Sequence, residues 1–145
     1  MPDEWYKAML PKPTRASAPF WEACDREELL LPSCRPCGRV FYYPRIACPL
    51  CGSRDLGWRK TSGRGRVFSH SRVHVSFYGD SWKSQLPYTV ILVDLDEGPR
   101  MLSRLVGTDA GGVASGDRVE VAFTEIEGRK LPFFKRIIPI QEDMQ

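Results

Sequence analysis

Two Cys-x-x-Cys pairs, Cys34-Arg35-Pro36-Cys37 and Cys48-Pro49-Leu50-Cys51, stand ten residues apart, and each is followed directly by a glycine, Gly38 or Gly52. No other feature constrains the fold as strongly. Each pair forms a tight knuckle whose amides donate to thiolate sulfur, and the glycine permits the positive-φ turn that closes it. Four thiolates in this arrangement suit one tetrahedral zinc ion at about 2.3 Å per bond, with Cys34, Cys37, Cys48 and Cys51 as the ligands. Four protein ligands leave no place for water or substrate, so such a zinc is structural. Iron is the competing metal, since redox knuckles have the same form. A hairpin this small cannot bury a core of its own, and the ion supplies folding free energy in its place. Between the pairs, Val40, Phe41, Tyr42 and Tyr43 exceed what the hairpin can cover. Part of this surface is expected to pack on the rest of the chain or on another chain.

The chain has 145 residues, enough for one domain or a small domain with an appendage. Its five cysteines, four of them paired by spacing, fit a reducing compartment. The start, "MPDEWYKAMLPKP", lacks the basic and apolar segments of a secretory signal, and no apolar run is long enough for a bilayer. A cytoplasmic protein with no membrane contact is expected. Net charge is only +3, yet the segment from Arg35 to Arg72 holds nine basic residues and one acidic residue, Asp55. That asymmetry suits an anionic ligand or partner, or a solvated surface that offsets thiolate charge.

Residues 1–30 read as an arm with three prolines and apolar Trp5, Tyr6, Met9 and Leu10, then a short helix over about 18–28. Ser17 is the candidate N-cap, Pro19 lies in the first turn, and Phe20, Ala23 and Cys24 share an apolar face, possible continuation reaching Glu27. Cys24 is expected to be a buried packing residue. Residues 31–60 form the metal module. From Thr61 the pattern turns to strands. "GRVFSHSRVHVSF" alternates with Val67, Val73, Val75 and Phe77 on one face, while "PYTVILVDL" is apolar on both sides. "RMLSRLV", "RVEVAFTEI" and "LPFFKRIIPI" follow, separated by hairpin and glycine signals. Five strands without a further amphipathic helix predict a mainly β protein with a closed five-stranded OB barrel over residues 61–140 and a tail at 141–145.

The run "APFWEACDREELLLPSCRPCGRVFYYPRIACPLCGSRDLGWRKTSGRGRVFSHSRV", then "LPYTVILVDLDEGPRMLSRLVG" and "SGDRVEVAF", resembles the zinc-ribbon/OB-fold proteins associated with acyl-CoA metabolism, long grouped as a domain of unknown function. The resemblance covers about residues 17–137. It implies an amino-terminal helix, a rubredoxin-like zinc ribbon and a carboxy-terminal OB barrel. It further implies an accessory subunit of a thiolase-superfamily enzyme, such as a thiolase, a synthase or a steroid side-chain aldolase. Among such subunits, the resemblance points to the small subunit of benzoylsuccinyl-CoA thiolase. Family membership does not fix the substrate.

Thiolytic chemistry needs a cysteine activated by a base, together with an oxyanion hole. Those parts are poorly supplied here, because four cysteines are committed to metal and Cys24 has no histidine near it in sequence. His70 and His74, four apart on one strand, stand roughly 13 Å apart. Asp94, Asp96 and Glu97 are read as a hairpin end. No catalytic residue is therefore assigned, and the chemistry is expected to lie in the partner chain. Coenzyme A or an acyl-CoA is the expected ligand, with Arg64, Arg66, Arg72, Tyr78, Trp82, Lys83, Phe41 and Tyr42 as candidate ligand or partner contacts. A single-stranded nucleic-acid module is the rival reading, since OB barrels and zinc ribbons both serve there. Nucleic acid is not the expected partner, because the carboxy-terminal half is acidic.

Overall fold

The computed structural model describes residues 10–76 and 80–138. Trp5, Tyr6, Met9, Phe77 and Tyr78 lie outside them. Helix α1 spans Ala18–Asp25 and buries Phe20, Ala23 and Cys24, the face given by the sequence pattern. It ends earlier than the 18–28 expected. The Arg26 and Glu28 amides both donate to the Ala23 carbonyl at 2.9 Å, and Glu27 adopts φ 60, which turns the chain out of the helix. Ser17 occupies the N-cap position, but its hydroxyl faces backward, accepting from the Thr14 amide at 2.8 Å.

Strands β1 (Leu30–Cys34) and β2 (Leu56–Lys60) pair antiparallel and carry the metal module at their far end. β1 runs directly into the first knuckle, so its pairing with β2 fixes where Cys34 sits. The remaining strands, β3 (Arg64–Val73), β4 (Tyr88–Leu95), β5 (Arg100–Leu105), β6 (Arg118–Ile126) and β7 (Arg129–Arg136), close in the order β3-β4-β5-β7-β6. This is the five-stranded barrel expected. All pairings are antiparallel except β5 with β7, which meet in parallel at Leu105 and Phe134.

Three details depart from the sequence pattern. β3 is bulged between Val67 and Ser69, which leaves Phe68 half exposed on the outside with the Arg100 guanidinium 3.4 Å from its ring centroid. The strand stops at Val73, so Val75 lies beyond the barrel wall and is 64% exposed. β4 is fully buried on one face only, through Thr89, Ile91, Val93 and Leu95, while Tyr88, Val90, Leu92 and Asp94 on the outer face are partly covered. Gly65 marks the tightest strand crossing: a Cβ there would collide with the Asp94 carbonyl oxygen and come within 2.7 Å of Val93 Cγ1.

One core joins all three parts. Phe20 and Cys24 from α1 and Leu29 and Leu31 from the ribbon pack with Val67, Ile91, Val93, Met101, Leu105, Val119 and Phe134 of the barrel. Tyr42 reaches this core from the metal module and lies 6.1 Å from Phe20, ring centre to ring centre. The aromatic excess noted in the sequence is thus partly spent on the chain's own barrel. Leu10, the last residue of the arm's apolar group, packs beside Ile126, Leu131 and Phe133. Among the described residues, no helix is long and apolar enough to cross a membrane.

Candidate metal centre and the surfaces around it

The sulfurs of Cys34, Cys37, Cys48 and Cys51 lie within 4.8 Å of one another. Cys34 Sγ is 3.4 Å from Cys51 Sγ, and Cys37 Sγ is 3.8 Å from Cys48 Sγ. A tetrahedron of sulfurs with bonds of about 2.3 Å has edges of about 3.8 Å, so the donor set fits a single zinc ion. The knuckle geometry accounts for this convergence. The Gly38 amide donates to the Cys34 carbonyl at 2.8 Å and the Gly52 amide to the Cys48 carbonyl at 2.9 Å, with φ of 74 and 77 at the two glycines. The Leu50 amide donates to Cys48 Sγ at 3.4 Å.

Four thiols this close cannot all ionise without a cation. The Cys51 and Leu50 amides hold the Cys48 thiol down at about 7. The Cys37 amide lowers Cys34, but burial and the three neighbouring thiols prevail and push it up to about 12. A bound divalent ion would resolve this conflict, with Cys34, Cys37, Cys48 and Cys51 holding it as thiolates. Beneath the site, Phe41 is 4% exposed and packs with Cys34, Cys48 and Leu56. This core is small, consistent with a metal as the main support. The fifth cysteine, Cys24, is fully buried in α1, and burial pushes its thiol up to about 12.

Of the remaining predicted contacts, Phe41 and Tyr42 line one groove and Tyr42 and Trp82 another, whereas Arg64, Arg66, Arg72 and Lys83 are not among the described lining of either. Arg64 and Arg66 are exposed on β3, and Arg66 Nη1 reaches the Gly116 carbonyl at 3.5 Å. Arg72 donates from Nη1 to Thr89 Oγ1 at 2.6 Å and lies against Gly111. Trp82 is buried in the 3-10 turn Asp80–Gln85, with its ring 5.7 Å from that of Tyr88, whereas Lys83 pairs with Asp80 at 2.9 Å in solvent. Phe41 is committed to the metal module, and Tyr42 lies at its junction with the barrel. His70 is exposed on β3, and His74 follows the end of that strand. The acidic hairpin serves structure: Asp94 pairs with Arg100 at 2.7 Å, Asp96 takes both Arg118 nitrogens at 2.7 and 2.9 Å, and Glu97 accepts from the Ser62 amide at 2.9 Å.

Two grooves bring some of these candidates together with residues that sequence reasoning missed. The larger, about 580 Å³, lies between the metal module and the β4–β5 hairpin, with Arg39, Arg59 and Arg100 on its walls and Tyr42 and Leu50 beside them. The three arginines are 61 positions apart at the extremes, so no local spacing signals them. Arg39 and Arg59 do belong to the basic segment counted in the sequence. The second groove, about 290 Å³, is lined by aromatic residues and Arg104.

Comparison with known proteins agrees with this architecture. Residues 21–57 match the model of the ChsH2 rubredoxin-like zinc ribbon domain, and residues 58–124 that of the ChsH2 C-terminal OB-fold domain. A DUF35 domain-containing scaffold protein of Methanothermobacter thermautotrophicus is 37% identical over 103 residues, covering 70% of this chain and 76% of that protein. A probable enoyl-CoA hydratase alpha subunit of Thermomonospora curvata is 32% identical over 143 residues, 94% of this chain but only 43% of that subunit. Among solved structures, a chain of the Ltp2-ChsH2(DUF35) aldolase superposes with a TM-score of 0.75 at 29% identity, covering 88% of this chain and 98% of that one. By fold, by the cysteine quartet and by these matches, the chain belongs to the DUF35 family of ChsH2-type zinc-ribbon/OB-fold proteins.

Proposed function

We propose that this chain is a non-catalytic, zinc-stabilised accessory subunit of an acyl-CoA enzyme, and that its partner is a thiolase-superfamily chain carrying out carbon–carbon cleavage of an aromatic or steroid-type acyl-CoA. The observation that carries the reading is the fate of the cysteines. Four converge into a closed donor set and the fifth is sealed in the core, so no thiol is poised to attack a thioester. The relatives support an assembly role, since they include scaffold proteins and a probable hydratase alpha subunit, and one solved match is the Ltp2-ChsH2(DUF35) aldolase.

A role in holding coenzyme A draws support from the larger groove. Arginine forks recognise phosphates bidentately, and Arg39 and Arg59 stand free of ion pairs among the described residues while Tyr42 offers a ring. On the barrel, Arg100 is matched by Asp94, Arg118 by Asp96 and Arg136 by Asp109 and Asp117, which leaves less free positive charge for a nucleic-acid groove. The test is tagged purification from the native source, identification of the companion, and acyl-CoA turnover assayed with each chain alone and with both. A thiolase-fold companion with turnover only in its presence is expected. Recovery of the chain solely as a monomer, or turnover by the chain alone, would overturn the reading.

A further inference from the structure

The barrel does not close evenly. β5 pairs with β4 along its whole length, from Arg100 to Leu105, yet it meets β7 only where Leu105 faces Phe134. Between Met101–Arg104 and Leu131–Phe133 the two strands form no ladder pairs, and the Ser103 hydroxyl bridges them by donating to the Pro132 carbonyl at 2.7 Å. The aromatic groove opens along this seam. Trp82 and Tyr88 wall one side and Phe133 the other, with Trp21 and Tyr42 also on its lining. β4 and β5 are the second and third strands of the barrel, the face across which OB folds take ligands.

Among the described residues, Arg104 is the one cation in this lining. Its guanidinium lies 5.1 Å from the centre of the Tyr88 ring and 5.8 Å from that of Phe133. Its Nη1 donates to Gln85 Oε1 at 3.3 Å. Its Nε is buried and finds no acceptor, and among the described residues no carboxylate lies within ion-pair distance. The contrast with Arg100, Arg118 and Arg136, each held by an aspartate, is informative. A half-buried cation without an anion costs stability, and ring faces offset only part of that cost. Burial also lowers the pKa of Arg104, the direction expected of a cation short of counter-charge.

From this geometry we propose that the seam groove is a binding site for a small organic carboxylate with an apolar, preferably aromatic, body. The carboxylate would be taken by the Nη atoms of the Arg104 guanidinium, while the body lies against Tyr88 and Phe133. A cavity of about 290 Å³ falls at the small end of ligand sites and suits a ligand of one ring and a short chain. The inference does not depend on which enzyme the chain assists.

The test uses the full zinc-loaded chain in a carboxylate-free buffer, with 3-phenylpropanoate as probe and its neutral amide as control. Binding is followed by tryptophan fluorescence and by calorimetry. Saturable binding of the acid is expected, with the amide at least about tenfold weaker, the loss of one charge-assisted pair of hydrogen bonds. Arg104→Gln should abolish the preference for the acid while melting no lower than the parent, because an unpaired half-buried charge has been removed. Arg104→Lys should keep a reduced preference, since lysine retains the charge without the fork. Absence of saturable binding, equal binding of acid and amide, or a preference that survives Arg104→Gln would each refute the site. A large loss of thermal stability in Arg104→Gln would assign Arg104 a structural role and equally refute it.

Discussion

Phe20→Ala tests whether helix, metal module and barrel fold as one unit. Phe20 is 1% exposed, its ring meets that of Trp21 edge-on at 4.8 Å, and it shares a core with Leu29, Leu31 and the barrel residues around Phe134. Truncating a buried phenylalanine to alanine costs about 3–5 kcal/mol, the transfer of the ring plus the cavity it leaves. For a domain of this size each kcal/mol lowers the melting temperature by roughly 2–4 °C, so a fall on the order of 10–15 °C is expected. Urea unfolding should be followed by three signals at once: tryptophan fluorescence, far-ultraviolet circular dichroism, and zinc release to a chromophoric chelator. All three midpoints should fall together, because Phe20 stands between Tyr42 of the metal module and the barrel core. Ile46→Ala, at a site 69% exposed, is the control and should move them by less than about 0.5 kcal/mol. A loss under about 1 kcal/mol for Phe20→Ala, or a shift confined to zinc release, would refute the single-core reasoning.

Other outcomes follow from the same packing. Gly65→Ala should destabilise the barrel by about 1–3 kcal/mol in a urea titration, since the added methyl meets the Asp94 backbone rather than a movable side chain. Cys24 should resist alkylation in the native protein, its thiol buried and pushed up to about 12; mass spectrometry should count no label with metal bound, four after chelation and five after denaturation. The hydrogen bonds from Arg118 hold the Asp96 carboxyl below its ordinary value of 3.8. The stabilisation from that pair is therefore present above pH 3.8 and disappears as pH falls through the lower folded-state value, so Asp96→Asn should flatten the acid limb of a stability–pH curve measured at low salt. Both side chains are partly exposed, and the effect should be small.

The elements legible in the sequence are those with short-range signatures. Cysteine spacing with the trailing glycines gave the four cysteines whose sulfurs converge, and alternation with turn residues gave five barrel strands in order. The helix face was readable because Phe20, Ala23 and Cys24 recur at helical spacing, although its end was set by the left-handed turn at Glu27. The bulge at Phe68 was hidden because an extra residue in one strand shows only against its partner. The parallel contact of β5 with β7 depends on how the barrel twists shut, and the seam groove exists because that contact is brief. Arg104 stands in "RMLSRLV" as an ordinary outward polar residue; its isolation becomes visible only with Tyr88 and Phe133 beside it. Likewise, Arg39, Arg59 and Arg100 face one groove only because the metal module folds against the β4–β5 hairpin.

The most direct test of the account is X-ray absorption at the zinc edge of the purified chain, recorded with and without an acyl-CoA thioester. Four sulfur neighbours at about 2.3 Å, unchanged by the thioester, are expected of a metal that shapes the protein and takes no part in bond-making. An oxygen or nitrogen neighbour in the first coordination sphere, or a sphere that changes when the thioester is added, would contradict it.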